Sequence, residues 1–340
     1  MNDELPKVSI IIPAWNEKEY IGNLINSIEL INYPESKMEI IIIAGGEDGT
    51  YDFVNNIVFN NIRKNVLRDR NLGKNGALIE GIGISNGELI ALIDADTVVS
   101  KEWLIKMVRI LQKNGLDVLS GNAYPWNGCG IIPKSMIRNE NSMRISRKTP
   151  AINGNATIVF KRSILLKTRI EDLFPIDAIG ADDYAFMIAC IDNGFAIGSR
   201  DIRVETHYPE NTLDYVKDSV RWSSSYLRYL HKTGKKPSNI DIIKQLSVIL
   251  STFFCFSLPF LLPNELGYCL LFCALVVLLI FTYRIFDYSK NYLFTEGNIY
   301  NFIALLIGHW ILYLCNLYTF FTKKYKRMYQ YTKTFKSSRH

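Results

Sequence analysis

The stretch Leu89-Ile90-Ala91-Leu92-Ile93-Asp94-Ala95-Asp96 decides how the first half of this chain is read. Five consecutive apolar residues with no polar alternation fit a short strand buried on both faces, the kind that parallel sheets contain. The strand runs out on two carboxylates. Side chains alternate along an extended segment, so acids at i and i+2 are expected on one face. Two such groups can hold a hard cation such as Mg²⁺ or Mn²⁺, and the carboxyl end of a parallel sheet is where ligands bind. Two solvated turn acids would look the same in isolation, so the surrounding sequence has to decide.

Working outward, residues 8–12 and 40–43 are further β-branched runs, and 155–160 reads as another strand. Between the first two, Tyr20, Ile21, Leu24, Ile25 and Ile28 recur on one helical face. Asn16 followed by Glu19 has capping-box spacing and predicts that this helix starts just after the first strand. Residues 73–85, 100–113, 182–193 and 212–231 are helix candidates, with Gly194 placed as the C′ residue of the third. Strands joined by helices predict an α/β domain with a mostly parallel sheet.

The composition changes along the chain. Residues 1–240 mix charged and apolar residues, whereas 246–262, 266–283 and 299–322 are long uncharged runs. The last two meet the ~20-residue criterion for a membrane span; the first carries Ser247, Ser251, Ser257 and Pro259 and is borderline. A catalytic domain over 1–240, two or three transmembrane helices over 241–322 and a basic tail over 323–340 are therefore expected. The tail contains Lys323, Lys324, Lys326, Arg327, Lys333, Lys336 and Arg339 and no acid, so it accounts for the whole net charge of +6. A near-neutral body with a basic juxtamembrane end suits anionic membrane lipids and not nucleic acid. A cytosolic domain and a cytosolic basic tail need an even number of crossings, yet three candidate segments are present. The amino terminus is polar, without a signal segment, which predicts a multi-pass protein of the cell membrane with its catalytic domain in the cytosol. None of the six cysteines has CxxC or metal-type spacing, and reduced thiols are expected.

Four motifs stand in order. Pro13-Ala14-Trp15-Asn16-Glu17 follows the first strand, and Gly45-Gly46-Glu47-Asp48-Gly49-Thr50 follows the second. Asn71-Leu72-Gly73-Lys74-Asn75-Gly76-Ala77 comes next, then Asp94-Ala95-Asp96. This order and spacing resemble glycosyltransferase family 2, inverting enzymes of GT-A fold. Asn153-Gly154-Asn155, Ala181-Asp182-Asp183-Tyr184 and Arg221-Trp222 extend the resemblance, the last to the QxxRW motif of membrane synthases. It covers roughly residues 6–235.

The resemblance implies a nucleotide-sugar donor and a Mg²⁺ or Mn²⁺ cofactor. It implies donor contacts at Pro13, Asn16, Glu17, Asp48, Lys74 and Asp94, and metal ligation by Asp94 and Asp96, with His207 a further candidate. Asp183 takes the part of general base, since an inverting displacement needs a carboxylate to accept the acceptor's hydroxyl proton; an N-capping role at a helix start is the simpler alternative. Asn153, Gly154, Asp182, Arg221 and Trp222 are expected near the acceptor or the diphosphate. The implied reaction is sugar transfer to a membrane-associated acceptor, a lipid-linked glycan or a polyprenyl or dolichyl phosphate, in cell-surface glycan or glycoprotein synthesis.

The chain departs from the pattern at three places. Ala44-Gly45-Gly46 stands where the family commonly has a base-reading Asp, Asp182 replaces a Glu, and Asp218 replaces the Gln of QxxRW. The last two weaken an alternative reading as a processive polysaccharide synthase. A second alternative, a catalytically degenerate membrane scaffold, is opposed by retention of Asp94, Asp96 and Asp183. A dinucleotide-binding oxidoreductase is excluded, because Gly81-Ile82-Gly83 is followed by Asn86 where the fingerprint needs Gly.

Overall fold

The computed structural model describes residues 4–59, 62–137, 156–176, 182–232 and 299–322, with single positions 234, 246, 250 and 268. Asn153, Gly154, nearly all of 246–262 and 266–283, and the basic tail lie outside the described residues. The chain divides into two compact units, the first built on Met1–Gly128 and Arg147–Tyr208, the second on Cys129–Ser146 and Pro209–Met328.

The first unit is an eight-stranded sheet. Its strands are β1 (Val8–Trp15), β2 (Met38–Gly45), β3 (Arg63–Arg68), β4 (Leu89–Ile93), β5 (Thr97–Val99), β6 (Val118–Pro125), β7 (Thr157–Lys161) and β8 (Ile197–Thr206). Their order is β3-β2-β1-β4-β7-β6-β8-β5. The β3-β2-β1-β4 half is wholly parallel. Beyond it β7 runs antiparallel to β4 and β6, and β5 antiparallel to β8, while β6 and β8 are parallel. The sheet is thus mixed and mostly parallel.

The apolar runs form the central strands because both faces are covered. On one face, α1 (Ile21–Glu29), α2 (Thr50–Asn56) and α4 (Trp103–Lys113) bury Leu24, Ile28, Val54, Trp103 and Met107 against Ile10, Ile12, Ile40 and Ile42. On the other, α3 (Gly73–Ile84) and α6 (Asp182–Asp192) bury Leu78, Ile82, Phe186 and Met187 against Ile11, Ile41, Ile43 and Leu92. Each fully buried Ile or Leu side chain contributes roughly 1.5–3 kcal/mol. A single turn, α5 (Ile170–Leu173), precedes α6 and buries Leu173.

One helix start differs from its expectation. α1 begins at Ile21, with Tyr20 as its N-cap and no side-chain cap. Asn16 does not cap it, because its Oδ1 is taken by the Glu47 amide of the neighbouring loop at 2.7 Å. The end of α6 does follow the sequence: Gly194, at φ +71°, lies two residues past Asp192. The Gly194 and Phe195 amides donate to the Ile191 and Cys190 carbonyls, the paired bonds of a Schellman motif.

The second unit contains α7 (Thr212–Lys232) and α8 (Ile299–Thr322), which pack against each other. The helix expected over 212–231 falls in this second compact unit. Segment 299–322 forms one 24-residue helix. Among the described residues no helix is long and apolar enough to cross a membrane. Cys129, Cys190 and Cys315 are free thiols, and burial pushes the Cys190 pKa up to about 12, as suits a packing residue.

Candidate active site

The four ordered motifs of the first unit fall at the carboxyl ends of the parallel strands β1 to β4. The register sets Trp15 beside Gly45. Asn16, in a left-handed conformation (φ 56°), accepts the Glu47 amide through Oδ1 and donates its own amide to the Gly45 carbonyl at 3.2 Å. The buried Glu17 donates its amide to Thr50 Oγ1 at 2.9 Å. Asp48 completes the frame. Its Oδ2 accepts the Lys18 amide at 3.0 Å, and its Oδ1 accepts the Thr50 amide at 2.9 Å and the Thr50 hydroxyl at 2.6 Å. Burial alone would raise the Asp48 pKa, but the bonds from Thr50 and Lys18 outweigh it and hold the carboxyl below its ordinary range. Asn16 and Asp48 thus lock two loops together, a positioning task the sequence did not disclose.

Lys74 lies in the first turn of α3, and its Nζ is 2.7 Å from Asp94 Oδ1, each side chain about a third exposed (37% and 34%). The next residue, Asn75, is buried and donates through Nδ2 to the Pro175 carbonyl at 2.7 Å, fastening α3 to the segment ahead of α6.

Asp94 and Asp96 do not share a face of one extended strand. The Thr97 amide donates to the Asp94 carbonyl at 3.1 Å, so residues 94–97 form a β-turn. The turn is required because β4 ends at Ile93 while β5 must run antiparallel to β8. Asp94 keeps the direction of β4, its amide bonded to the Ala156 carbonyl at 3.2 Å. Asp96 is instead held by the end of β8. Its Oδ1 accepts the Thr206 hydroxyl at 3.1 Å, and its carbonyl accepts the His207 amide at 3.1 Å and Trp126 Nε1 at 3.2 Å.

The ring of His207 is 4.7 Å from that of Tyr20 and 5.9 Å from that of Trp126. Among the described residues no three His, Cys, Asp or Glu side chains gather as a cation site, so His207 does not join the two aspartates in a ready-made cage. Two carboxylates two turn positions apart nevertheless have the right chemistry for Mg²⁺ or Mn²⁺. Such ions are commonly held by one or two carboxylates with substrate phosphates filling the other positions. Thr206, Trp126 and Tyr20, the surroundings of Asp96, had no sequence signal, because a strand 110 residues away delivers the first of them.

Asp183 is in the first turn of α6, where the Tyr184 amide donates to its Oδ1 at 2.8 Å. Helix N-termini favour an ionised carboxylate. One cleft on the α3 and α6 side of the sheet is lined by Pro13, Lys74, Asp94 and Asp183, with Leu92 and Phe186 among its apolar walls. Residues from four separate segments, spread over 170 positions of sequence, are thereby brought to a single place.

The model of glycosyl transferase family 2 matches residues 9–173. Those residues are a family 2 glycosyltransferase domain. Glycosyltransferase AglE of Haloferax volcanii is 32% identical over 134 residues, covering 38% of this chain and 44% of the archaeal protein, so less than half of that relative is matched. An uncharacterized glycosyltransferase of Haemophilus influenzae is 26% identical over 267 residues, 73% of this chain and 76% of its own length. Among solved structures, the mannosyltransferase PcManGT from Pyrobaculum calidifontis, in complex with GDP-Man and Mn²⁺, superposes with a TM-score of 0.54. It is 18% identical and covers 91% of this chain and 88% of that one. At that identity the likeness is one of fold. The family 2 domain accordingly has a GT-A-like α/β fold with its motif residues at the carboxyl edge of the sheet.

Two other expected residues lie in the second unit. On α7, Arg221 donates to Asp218 at 3.1 Å, and its guanidinium is 5.9 Å from the centre of the Trp222 ring. The Asp at 218, which replaces the Gln of QxxRW, thus binds the arginine of that motif. The side chain of Asp182 lies outside the described residues, although its backbone opens α6.

Proposed function

We propose that the chain is an inverting glycosyltransferase that moves one sugar from a nucleotide-sugar donor to a membrane-associated acceptor. The observation that carries this reading is the shared cleft of Asp94, Lys74 and Asp183. One side of it has the charge needed at a diphosphate, and the other has a carboxylate able to take a proton.

In this reading the loops fastened by Asn16 and Asp48 hold the nucleoside, and the Lys74 ammonium supports Asp94 and meets the donor's negative charge. Asp94 and Asp96 are the residues that would hold Mg²⁺ or Mn²⁺, which when bound supplies Lewis-acid stabilisation for the charge on the departing diphosphate. Asp183 accepts the proton of the acceptor hydroxyl as the hydroxyl oxygen attacks the anomeric carbon. The bond from that carbon to the diphosphate oxygen breaks on the opposite side, and configuration inverts. Leu92 and Phe186 keep the walls of the cleft apolar, which strengthens the charge interactions inside it.

The acceptor we favour is a lipid-linked glycan or a polyprenyl or dolichyl phosphate at the cytosolic face of the cell membrane. The uncharged runs 246–262 and 266–283 and the basic tail support that location. Pairing of Asp218 with Arg221 supports single addition over processive synthesis, because it alters the motif that processive synthases use.

The test is release of nucleoside diphosphate by the full chain in membranes, measured with Mn²⁺ across a panel of nucleotide sugars. Turnover of at least one donor, abolished in Asp96→Ala, is expected. No turnover, together with no binding of any nucleoside diphosphate, would overturn the reading.

A further inference from the structure

The two charged sides of the cleft are carried by different helices, Lys74 by α3 and Asp183 by α6. A buried connection joins those helices beside the cleft. Asn75, the neighbour of Lys74, is 4% exposed and donates through Nδ2 to the Pro175 carbonyl at 2.7 Å, a bond between residues 100 positions apart. Pro175 follows Phe174, whose ring is stacked on that of Phe186 with centroids 4.9 Å apart and planes 16° from parallel. Phe186 stands one turn on from Asp183 in α6, on the same side of the helix. Phe160 of β7 backs both rings, at 6.4 Å from Phe174 and 5.2 Å from Phe186, and all three are buried. In a close-packed interior such a stack has little freedom to slip. The path from the first turn of α3 to the first turn of α6 thus has two links, one hydrogen bond and one ring stack. Phe174 and Phe186 both line the cleft.

Stability does not account for an asparagine at this place. Its Oδ1 is buried with no hydrogen-bond partner among the described residues. An orphaned buried acceptor costs at least as much as one neutral hydrogen bond returns, and alanine is the better helix former. What Asn75 does supply is geometry, because a hydrogen bond from a side-chain amide fixes both the distance and the direction to the carbonyl that it meets.

We propose that Asn75 is a positioning residue for Asp183. Through Pro175 and the Phe174–Phe186 stack it keeps the start of α6 at a fixed distance from Lys74 and Asp94. This assignment rests on the reading of Asp183 as general base given above. A base must sit within hydrogen-bond reach of the acceptor hydroxyl while that hydroxyl faces the anomeric carbon. A misplacement of about 1 Å can cost roughly 10²-fold in rate. Lys74 and Asp94 hold each other at 2.7 Å independently of this link, so the donor side keeps its geometry when the link is cut.

The experiment is a double-mutant cycle on turnover by the full chain in membranes, with Mn²⁺ and the nucleotide sugar that wild type uses fastest. Asn75→Ala is expected to lower kcat about 10- to 100-fold, while the donor KM and the calorimetric affinity for its nucleoside diphosphate stay within about twofold. Added to Asp183→Asn, it should lower kcat by less than about twofold more, because the residue it positions is already disabled. A change that merely loosened the fold would multiply with Asp183→Asn and would move KM as well. Multiplied losses, or an unchanged kcat in Asn75→Ala, overturn the assignment and leave the donor reading standing. Near-normal turnover of Asp183→Asn also overturns it, since no base then needs placing. Should Asn75→Ala not fold, Phe174→Leu breaks the second link, keeps the place apolar and is held to the same outcomes. No turnover by wild type with any donor removes the donor reading itself and this assignment with it.

Discussion

The Lys74 ammonium and the Asp94 carboxylate meet at 2.7 Å across the mouth of one cleft, the lysine carried by a helix start and the aspartate by a strand end. Because both are about a third exposed, the pair adds little to stability, of the order of 0–1 kcal/mol. Its worth is in function. Lys74→Met is expected to leave the melting temperature within a few degrees while raising the donor KM about tenfold or more. A variant that melts much earlier yet keeps its KM would make Lys74 a structural residue.

Asp183→Asn should lower kcat by about 10²- to 10⁴-fold with a hydroxyl acceptor, the usual range for a lost general base, and leave nucleoside diphosphate affinity nearly unchanged. Initial-rate kinetics with calorimetry checks both. A phosphate acceptor is already ionised and needs no proton removed, so near-normal turnover of Asp183→Asn would identify that acceptor class.

Asp48 is predicted to act through stability. Asp48→Ala strands the Lys18 and Thr50 amides and should cost about 1–3 kcal/mol in chemical denaturation. The folded-state pKa lies below the unfolded value, so the contribution of Asp48 is fully present above about pH 4. It is lost as pH falls through the depressed folded value. Asp48→Asn should therefore show a shallower loss of stability below pH 4 than wild type.

Glu39 offers an independent check of the same logic beneath the sheet. It is fully buried, and its Oε1 accepts the Ser9 hydroxyl and the Asn86 amide, each at 2.5 Å. Burial pushes its pKa up, but those bonds prevail and the value is lowered. Glu39→Ala should destabilise by about 1–3 kcal/mol or more, since it orphans buried donors, and by equilibrium unfolding the penalty should shrink in acid.

Gly81→Ala tests how α3 is seated. A Cβ there would lie 2.6 Å from Ile43 Cδ1 and 2.7 Å from Ile11 Cγ2. Overpacking of this kind costs roughly 1–3 kcal/mol, and the helix it displaces carries Lys74. A drop in thermal stability together with a raised donor KM is expected.

By itself the sequence determined the central layer and the chemical cast. Uninterrupted apolar runs fit strands covered on both sides, so β1, β2 and β4 were legible, with Pro13, Asn16 and Asp94 at or just past their ends; Lys74 and Asp183 became candidates through the resemblance of their motifs to family 2. Folding in three dimensions decided what local pattern cannot encode. The polar run Arg63–Arg68 becomes a strand only because β2 offers it an edge, and the three-residue β5 forms against the end of β8. Asn16 gave up capping a helix for a bond to a loop 31 residues away. Asp96 is aimed by Thr206, and Asp69 is brought level with Gly45 by strand register. Periodicity reports which side of an element is apolar; which distant partner meets the polar side is settled only when the sheet closes its ladders and the strand amides find their acceptors.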